Sequence, residues 1–233
     1  MKDETGWHLA LHPSSFIPHP SSFPVSRILI TSGPTRQYLD PVRYLTNASS
    51  GRMGAALAAA ALAAGHEVVV VSGPVDVAYP PGAEVVPVVS TEEMLAACQR
   101  VFPSCHGLIA VAAPCDYRPV FVARQKIRKM GGPLVLHLVE TPDVVAKLGT
   151  IKDRQWMVAF ALETEDRRLR ALQKLERKRC DLIVVNGPAA MHARDTQVEI
   201  LTPQGEVVAS LAGEKPEVAR GIFSVIQERL VKK

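Results

Sequence analysis

Five short apolar runs recur along this chain, most of them separated by stretches with helical signals: Ile28–Ile30, Glu67–Ser72, Gly107–Ala113, Trp156–Leu162 and Asp181–Asn186. Each is close to continuously apolar rather than alternating, as a strand covered on both faces requires. The helical stretches between them carry their own punctuation. Ala-rich Met53–Ala64 is followed by Gly65 at a C′ position, Thr91–Val101 has an N-cap candidate with Glu92 and Glu93 in its first turn, and Glu165–Arg179 is strongly charged. This alternation predicts an α/β fold with a Rossmann-like, mostly parallel sheet and helices on both faces. Ligands then sit beyond the carboxyl ends of the strands, and Gly33, Gly73 and Ala113 are expected to border one crevice. Further on, Gln197–Thr202 and Glu206–Leu211 flank Pro203-Gln204-Gly205, which predicts an antiparallel hairpin at one sheet edge, and Lys215–Lys233 closes as an amphipathic helix.

The first strand reaches its helix by an unusual route. The apolar run ends at Gly33-Pro34, and a long polar connection carrying Arg36, Asp40, Arg43 and Asn47 follows before Ser49-Ser50-Gly51 opens the Ala-rich helix. Ser and Gly leave backbone N–H groups free at a helix N-terminus, where dipole and unpaired donors favour an anion. Neither a G-x-G-x-x-G fingerprint nor a G-x-x-x-x-G-K-[ST] loop is present. A second long connection, Pro114–Pro133, is rich in Pro, Arg, Lys and Gly without periodicity and is expected to be a functional loop or lid. Leu134–Glu140 then alternates in strand fashion with His137 on one face, and Thr141-Pro142-Asp143 reads as an N-cap followed by proline at N1, opening a helix to Leu148. The polar groups this places near the crevice are Asn47 and Arg43 in the first loop, Asp116 and Lys126 in the second, and Lys174 and Lys178 four apart on one helix face. These types bind polyphosphate rather than perform redox chemistry.

Composition sets the outer bounds. The 233 residues read as one large domain, a length that also allows an appended piece, and 47% apolar against 5% aromatic content predicts a core of Ala, Val, Ile and Leu. Met1–Ser26 holds His12-Pro13-Ser14-Ser15-Phe16 and the near copy His19-Pro20-Ser21-Ser22-Phe23, a Pro/Ser-rich repetition that predicts a disordered leader over 1–26 and a folded domain over 27–233. The net charge of +4 is dispersed, which suits anionic small molecules and is too small to indicate nucleic acid. Cys98, Cys105, Cys115 and Cys180 lack C-x-x-C spacing and zinc-ligand histidines, so free thiols are expected, and Cys105-His106 has no orienting carboxylate beside it. No apolar stretch reaches the ~18 residues of a membrane span. A cytoplasmic protein with no membrane or nucleic-acid partner is the expectation.

The segment ITSGPTR…DPVRYLTNASSGRMG, within Arg27–Gly54, resembles the signature of the phosphopantothenate–cysteine ligase family, bacterial CTP-using type. Three further stretches agree: Ala112-Ala113 leading to Asp116-Tyr117-Arg118-Pro119, then Lys126-Ile127-Arg128-Lys129, then Phe160–Glu165 with Lys174 and Lys178 beyond. The resemblance implies a ligase of coenzyme A biosynthesis that joins 4′-phosphopantothenate to cysteine through an acyl-cytidylate, with CTP giving CMP and pyrophosphate. Carried over, Asn47 corresponds to the contact with substrate and intermediate, with Arg43, Ala112 and Ala113 near the pantothenate moiety. Lys126 corresponds to the catalytic lysine of a mobile loop. Asp116, Lys126, Pro142, Asp143, Val144, Val145, Phe160, Lys174 and Lys178 correspond to nucleotide contacts. Mg²⁺ is expected on the triphosphate, held mainly by phosphate oxygens and water rather than by protein ligands, and a homodimer is expected. The sequence departs from the family at Pro114-Cys115, in place of Val-Ala, at Asn186-Gly187, in place of Asn-Asp, and over Ala190–Asp195, in place of a Gly-rich stretch. Bacterial members commonly carry a flavin-binding decarboxylase ahead of this domain, and so few residues precede Arg27 that a stand-alone synthetase is expected. The alternative is an NAD(P)-binding oxidoreductase or a non-catalytic nucleotide-binding module on the same fold. The first would need the glycine fingerprint, and the second would be expected to lack Asn47 or Lys126.

Overall fold

The computed structural model describes residues 24–162, 167–186 and 195–231. The expectations for residues 1–23, for Glu165, for Gly187 and for most of Ala190–Asp195 fall outside them. Ser26, assigned above to the leader, is buried, and its N–H donates to His66 Nδ1 at 3.1 Å.

The first apolar run is β1 (Arg27–Ser32), buried over Ile28–Ser32. The connection after it is not a plain loop: β2 (Arg36–Asp40) and β3 (Arg43–Thr46) form an antiparallel hairpin off the main sheet. Then come α1 (Arg52–Ala63), β4 (Glu67–Ser72), β5 (Glu84–Pro87), α2 (Thr91–Val101) and β6 (Gly107–Ala110). The second half holds β7 (Tyr117–Pro119), β8 (Leu138–Glu140), α3 (Val144–Ile151), β9 (Trp156–Leu162), α4 (Arg167–Arg177), β10 (Leu182–Asn186), β11 (Asp195–Leu201), β12 (Val207–Glu214) and α5 (Lys215–Ile226). The main sheet runs β12-β11-β10-β9-β6-β1-β4-β5, parallel from β10 to β5, with β11 and β12 antiparallel at one edge. The α/β class, the parallel sheet and the edge hairpin are therefore as read from the sequence.

Ile30 lies opposite Val70 on one side and Ile109 on the other, so β1 is interior. From β1 the chain runs outward to β4 and β5, then returns to β6 and runs out the other way to β9 and β10. The order reverses between β1 and β6, and such a switch point opens a crevice at the carboxyl ends of the two strands. Helices cover both faces. Leu57, Ala58 and Ala61 of α1 and Ile222, Phe223 and Ile226 of α5 pack over Ile28, Ile30 and Val70. Met94 and Cys98 of α2, Leu148 of α3 and Leu175 of α4 cover Leu29, Leu108 and Met157 on the other face. Burial of each such large side chain is worth about 1.5–3 kcal/mol.

Several sequence expectations need correction. β5 is an unanticipated edge strand, held to β4 by backbone pairing while its side chains are mostly exposed. Of Leu134–Glu140 only the last three residues pair, with β7 in a small separate sheet, and the whole segment is exposed. Its alternation therefore marks no buried face. Asp143, not Thr141, caps α3, accepting Ala146 N–H at 3.1 Å, while the Thr141 hydroxyl donates to Cys115 O at 2.6 Å. Residues 111–113 leave the sheet after Ala110, apart from a bridge between Ala113 and Pro34. All four cysteines are free and buried. Among the described residues no helix is long and apolar enough to cross a membrane.

Candidate phosphate and nucleotide site

The switch point holds a cavity of about 500 Å³ between the segment Asn47–Gly54 and Val111–Pro114. Its floor is made by a turn that only glycine adopts easily: Gly51, at φ 73°, is the N-cap of α1, and no side chain caps the helix. Its carbonyl accepts Ala55 N–H within the helix and the Ser32 hydroxyl at 3.3 Å. The next glycine lets helix and strand close up, because a Cβ on Gly54 would lie 2.1 Å from Ser32 Oγ. The first-turn N–H groups of α1, with no acidic residue among them, thus open toward the cavity with their dipole uncompensated.

The opposite wall is fixed by threonines. Thr35 Oγ1 accepts Cys115 N–H at 2.7 Å, so its own proton goes to Thr91 Oγ1 at 2.8 Å, and Thr91 in turn donates to Cys115 O at 3.1 Å. With Thr141 on the same carbonyl, the Pro114-Cys115 departure is held by three hydroxyls just before Asp116. Asn47 spans the two loops: its amide nitrogen donates to Pro114 O at 2.8 Å, with Ala113 O at 3.4 Å.

Two further cavities adjoin the first. One, of about 470 Å³, shares Asn47, Ser49, Ser50, Arg52 and Lys215 with it and adds Arg36, Tyr44, Pro74 and Asp76. The other, of about 340 Å³, shares Asp116, Phe160, Lys174 and Lys178 and adds Pro142, Asp143, Val144, Val145 and Arg177. Asp143 holds the second of these together, pairing with Lys178 Nζ at 3.2 Å and Arg177 Nη2 at 3.3 Å. Lys178 lies one residue beyond α4, but its N–H still donates to Lys174 O, so the two lysines share a face. Phe160 is half-buried and both packs on the core and faces the cavities. The expected crevice glycines stand at its rim: Gly33 O accepts Ala113 N–H at 2.9 Å, and Gly73 backs against Pro34.

The structure thus brings together Asn47, Ala112, Ala113, Asp116, Pro142, Asp143, Val144, Val145, Phe160, Lys174 and Lys178. It does not bring in Arg43 or Lys126. Arg43 is committed to Asp40, with Nη2 2.5 Å from Oδ2, and to Ile127 O at 2.6 Å. In this structure its guanidinium is engaged by those two groups and lines none of the cavities described above. Burial alone would push the Asp40 carboxyl up, but the Arg43 guanidinium and the N–H groups of Val42, Ile127 and Arg43 outweigh it and hold that carboxyl well below the usual carboxylate range. Lys126 is exposed and lines none of the cavities described above. Sequence reasoning missed Arg52, Lys215 and Asn186. Asn186 ends β10 at the carboxyl side of the sheet, with its buried Oδ1 unpartnered among the described residues, and that strand-end position was a usable signal.

Residues 24–230 match the family model of the DNA/pantothenate metabolism flavoprotein C-terminal domain. The coenzyme A biosynthesis bifunctional protein CoaBC of Vibrio cholerae serotype O1 is 39% identical over 211 residues, covering 88% of this chain and 53% of that protein. CoaBC of Escherichia coli K12 is 45% identical over 163 residues, covering 68% and 40% respectively. The chain spans about half the length of the curated relatives it matches. Among solved structures, the crystal structure of the C-terminal domain of CoaBC superposes with a TM-score of 0.79 at 36% identity, covering 91% of this chain and 100% of that one.

Proposed function

The chain belongs to the DNA/pantothenate metabolism flavoprotein C-terminal domain family, and on that premise we propose that it is a phosphopantothenate–cysteine ligase of coenzyme A biosynthesis. The observation that carries the reading is the row of three joined cavities at the switch point, with an uncapped helix N-terminus at one junction and Lys174 and Lys178 at the other. One end suits a phosphorylated acid and the other a nucleotide, and the middle is where the two would meet.

The chemistry then runs in two displacements. The carboxylate of 4′-phosphopantothenate attacks the α-phosphorus of CTP, an acyl-cytidylate forms and pyrophosphate leaves. The amine of cysteine attacks the acyl carbon, a C–N bond replaces the C–O bond, and CMP and a proton leave. Lys174 and Lys178 offer positive charge to the phosphates, and the α1 N-terminus offers backbone donors. The Asn47 amide hydrogen on the long 3.4 Å contact to Ala113 O can turn to the acyl oxygen while the other stays on Pro114 O. Lys126 reaches the α-phosphate as its loop moves over the site. Mg²⁺ bound on the triphosphate would supply neutralisation of phosphate charge. Asp116, exposed and the one carboxylate shared by two of the cavities among the described residues, would meet it through its water shell, with phosphate oxygens as the direct ligands.

Assembly as a homodimer in the cytoplasm completes the proposal. Support for the dimer comes from the exposed apolar side chains on the β2–β3 and β7–β8 arms, among them Phe121, Val135, Val42 and Tyr117. The deciding experiment incubates purified protein with 4′-phosphopantothenate, cysteine and either CTP or ATP. Pyrophosphate and CMP release with a higher kcat/KM for CTP is expected. Equal efficiency with ATP would reject the nucleotide assignment, and no release with either would reject the ligase.

A further inference from the structure

The loop that carries Lys126 is tied down where it passes the β2–β3 turn. Ile127 N–H donates to Asp40 Oδ2 at 3.0 Å, and Ile127 O accepts Arg43 Nη2 at 2.6 Å. Both backbone groups of one loop residue are thus taken by the two members of a single ion pair. Asp40 is fully buried and also receives the N–H groups of Val42 and Arg43 on Oδ1, each at 2.9 Å, and Arg43 Nε on Oδ2 at 2.9 Å. A further bond, Ala123 N–H to Leu39 O at 2.9 Å, fixes the same stretch of loop to β2. None of these residues lines a described cavity.

An ion pair whose carboxylate is fully buried is an expensive way to stabilise a hairpin even with its guanidinium partly exposed, since desolvation of the carboxylate offsets part of the attraction. Its chemistry is suited to holding a backbone. An ionised carboxylate accepts several N–H groups at once, and the guanidinium fork can satisfy Asp40 while still donating to a carbonyl, which an ammonium cannot do in the same geometry. The turn itself places Asp40 and Arg43 three residues apart on facing strand ends. Resting on the role given to Lys126 above, we propose that the Asp40–Arg43 pair is a positioning clasp: by gripping Ile127 at both its N–H and its carbonyl, it fixes the pivot from which the neighbouring Lys126 swings over the site. Arg43 then acts through the loop and not by touching substrate.

The test has one arm that needs no substrate. Hydrogen exchange at the Ile127 amide is measured in the wild type, in Arg43→Lys and in Asp40→Asn, with circular dichroism confirming that each is folded. Arg43→Lys keeps the charge and the turn, so it reads the clasp even if loss of the buried carboxylate unfolds the other variant. Protection of Ile127 in the wild type is expected, with exchange about tenfold faster in the variants. The second arm measures ligase kinetics. A kcat lower by about 10- to 100-fold at an unchanged KM for 4′-phosphopantothenate is expected, with no further loss when Arg43→Lys is placed on Lys126→Gln. Unprotected Ile127 in the wild type would overturn the clasp, as would a raised KM with kcat intact, or losses that multiply in the double variant. Because exchange is read without substrate, failure of the clasp and failure of the ligase assignment are separable.

Discussion

At the scale of single residues, Asn47 and Lys126 are assigned different work, and the difference is measurable. Asn47 sits at the junction of two cavities with its amide nitrogen 2.8 Å from Pro114 O. Asn47→Asp removes that donor and puts a carboxylate against both the Pro114 carbonyl and the oxyanion that develops as cysteine attacks. Pyrophosphate release should survive and acyl-cytidylate should accumulate. Under the proposed function, Lys126→Gln would remove charge from the α-phosphate instead, and the loss of such a contact is worth ~10²–10³ in rate. This variant should fail to release pyrophosphate even without cysteine. Single-turnover mass spectrometry of both variants checks the asymmetry, and equal loss of pyrophosphate release in the two would reject the division of roles. The two residues also differ in how they could be read. Asn47 lies in a polar stretch leading straight into a helix N-terminus, so its place at the site follows from local order, whereas Arg43, four residues earlier, is claimed by Asp40 and by a loop residue far along the chain. No local pattern announces a partner of that kind.

At the scale of elements, the two ends of β1 carry separate predictions. At its carboxyl end, α1 approaches so closely that a Cβ on Gly54 would meet both Ser32 Oγ at 2.1 Å and Ser32 Cβ at 2.6 Å. Gly54→Ala gains ~1 kcal/mol of helix propensity but overpacks this contact. A net loss of ~1–2 kcal/mol in urea unfolding is expected, and an unchanged or higher midpoint would show that helix and strand have room to part. At its amino end, the strand is entered through Ser26, whose N–H donates to His66 Nδ1. That bond needs the nitrogen unprotonated, and burial lowers the His66 pKa from its ordinary 6.5. The folded state therefore binds this proton less readily than the unfolded state does. Stability from this residue is complete above about pH 6.5, begins to fall as pH drops below that value, and is lost once pH passes the lower folded pKa. Urea unfolding between about pH 5 and 8 should show this fall, and His66→Gln should flatten it; an unaltered slope would clear His66 of the effect. The buried strands were legible because each is apolar enough to be recognised alone. Strand β5, the β2–β3 hairpin and the β7–β8 pair were not, since most of their side chains are exposed or half-buried and the few buried ones, Gln37, Asp40 and Pro119, are polar or proline. The cap of α3 was ambiguous for a related reason: Thr141 and Asp143 both have capping chemistry, and the choice is made by Cys115 O, which recruits the threonine from a distant segment.

At the scale of the whole molecule, the central sheet buries its apolar residues on both faces, yet the two arms leave theirs in the open. Phe121 is 76% exposed and Val135 73%, and Met130, Val120, Leu134 and Val42 also exceed half exposure. A single chain gains nothing from this arrangement, because an isolated two-stranded unit is only marginally stable in water and exposed apolar clusters favour association. The β2–β3 hairpin and the β7–β8 pair are joined to each other by Ala123 N–H to Leu39 O and by the Arg43–Ile127 contact, so they present one continuous surface and not two loose flaps. A second copy offering the same surface about a twofold axis would cover both arms at once, and a stable contact needs roughly 1,000 Å² or more of buried area. Light scattering at micromolar concentration should therefore return twice the 25.2 kDa of one chain. Phe121→Glu and Val135→Glu, at side chains already exposed in the monomer, should return the single-chain mass while leaving the circular dichroism of the central sheet unchanged. A wild-type protein that runs at the monomer mass would reject a stable dimer. A dimer that persists in both variants would place the interface elsewhere than on the arms.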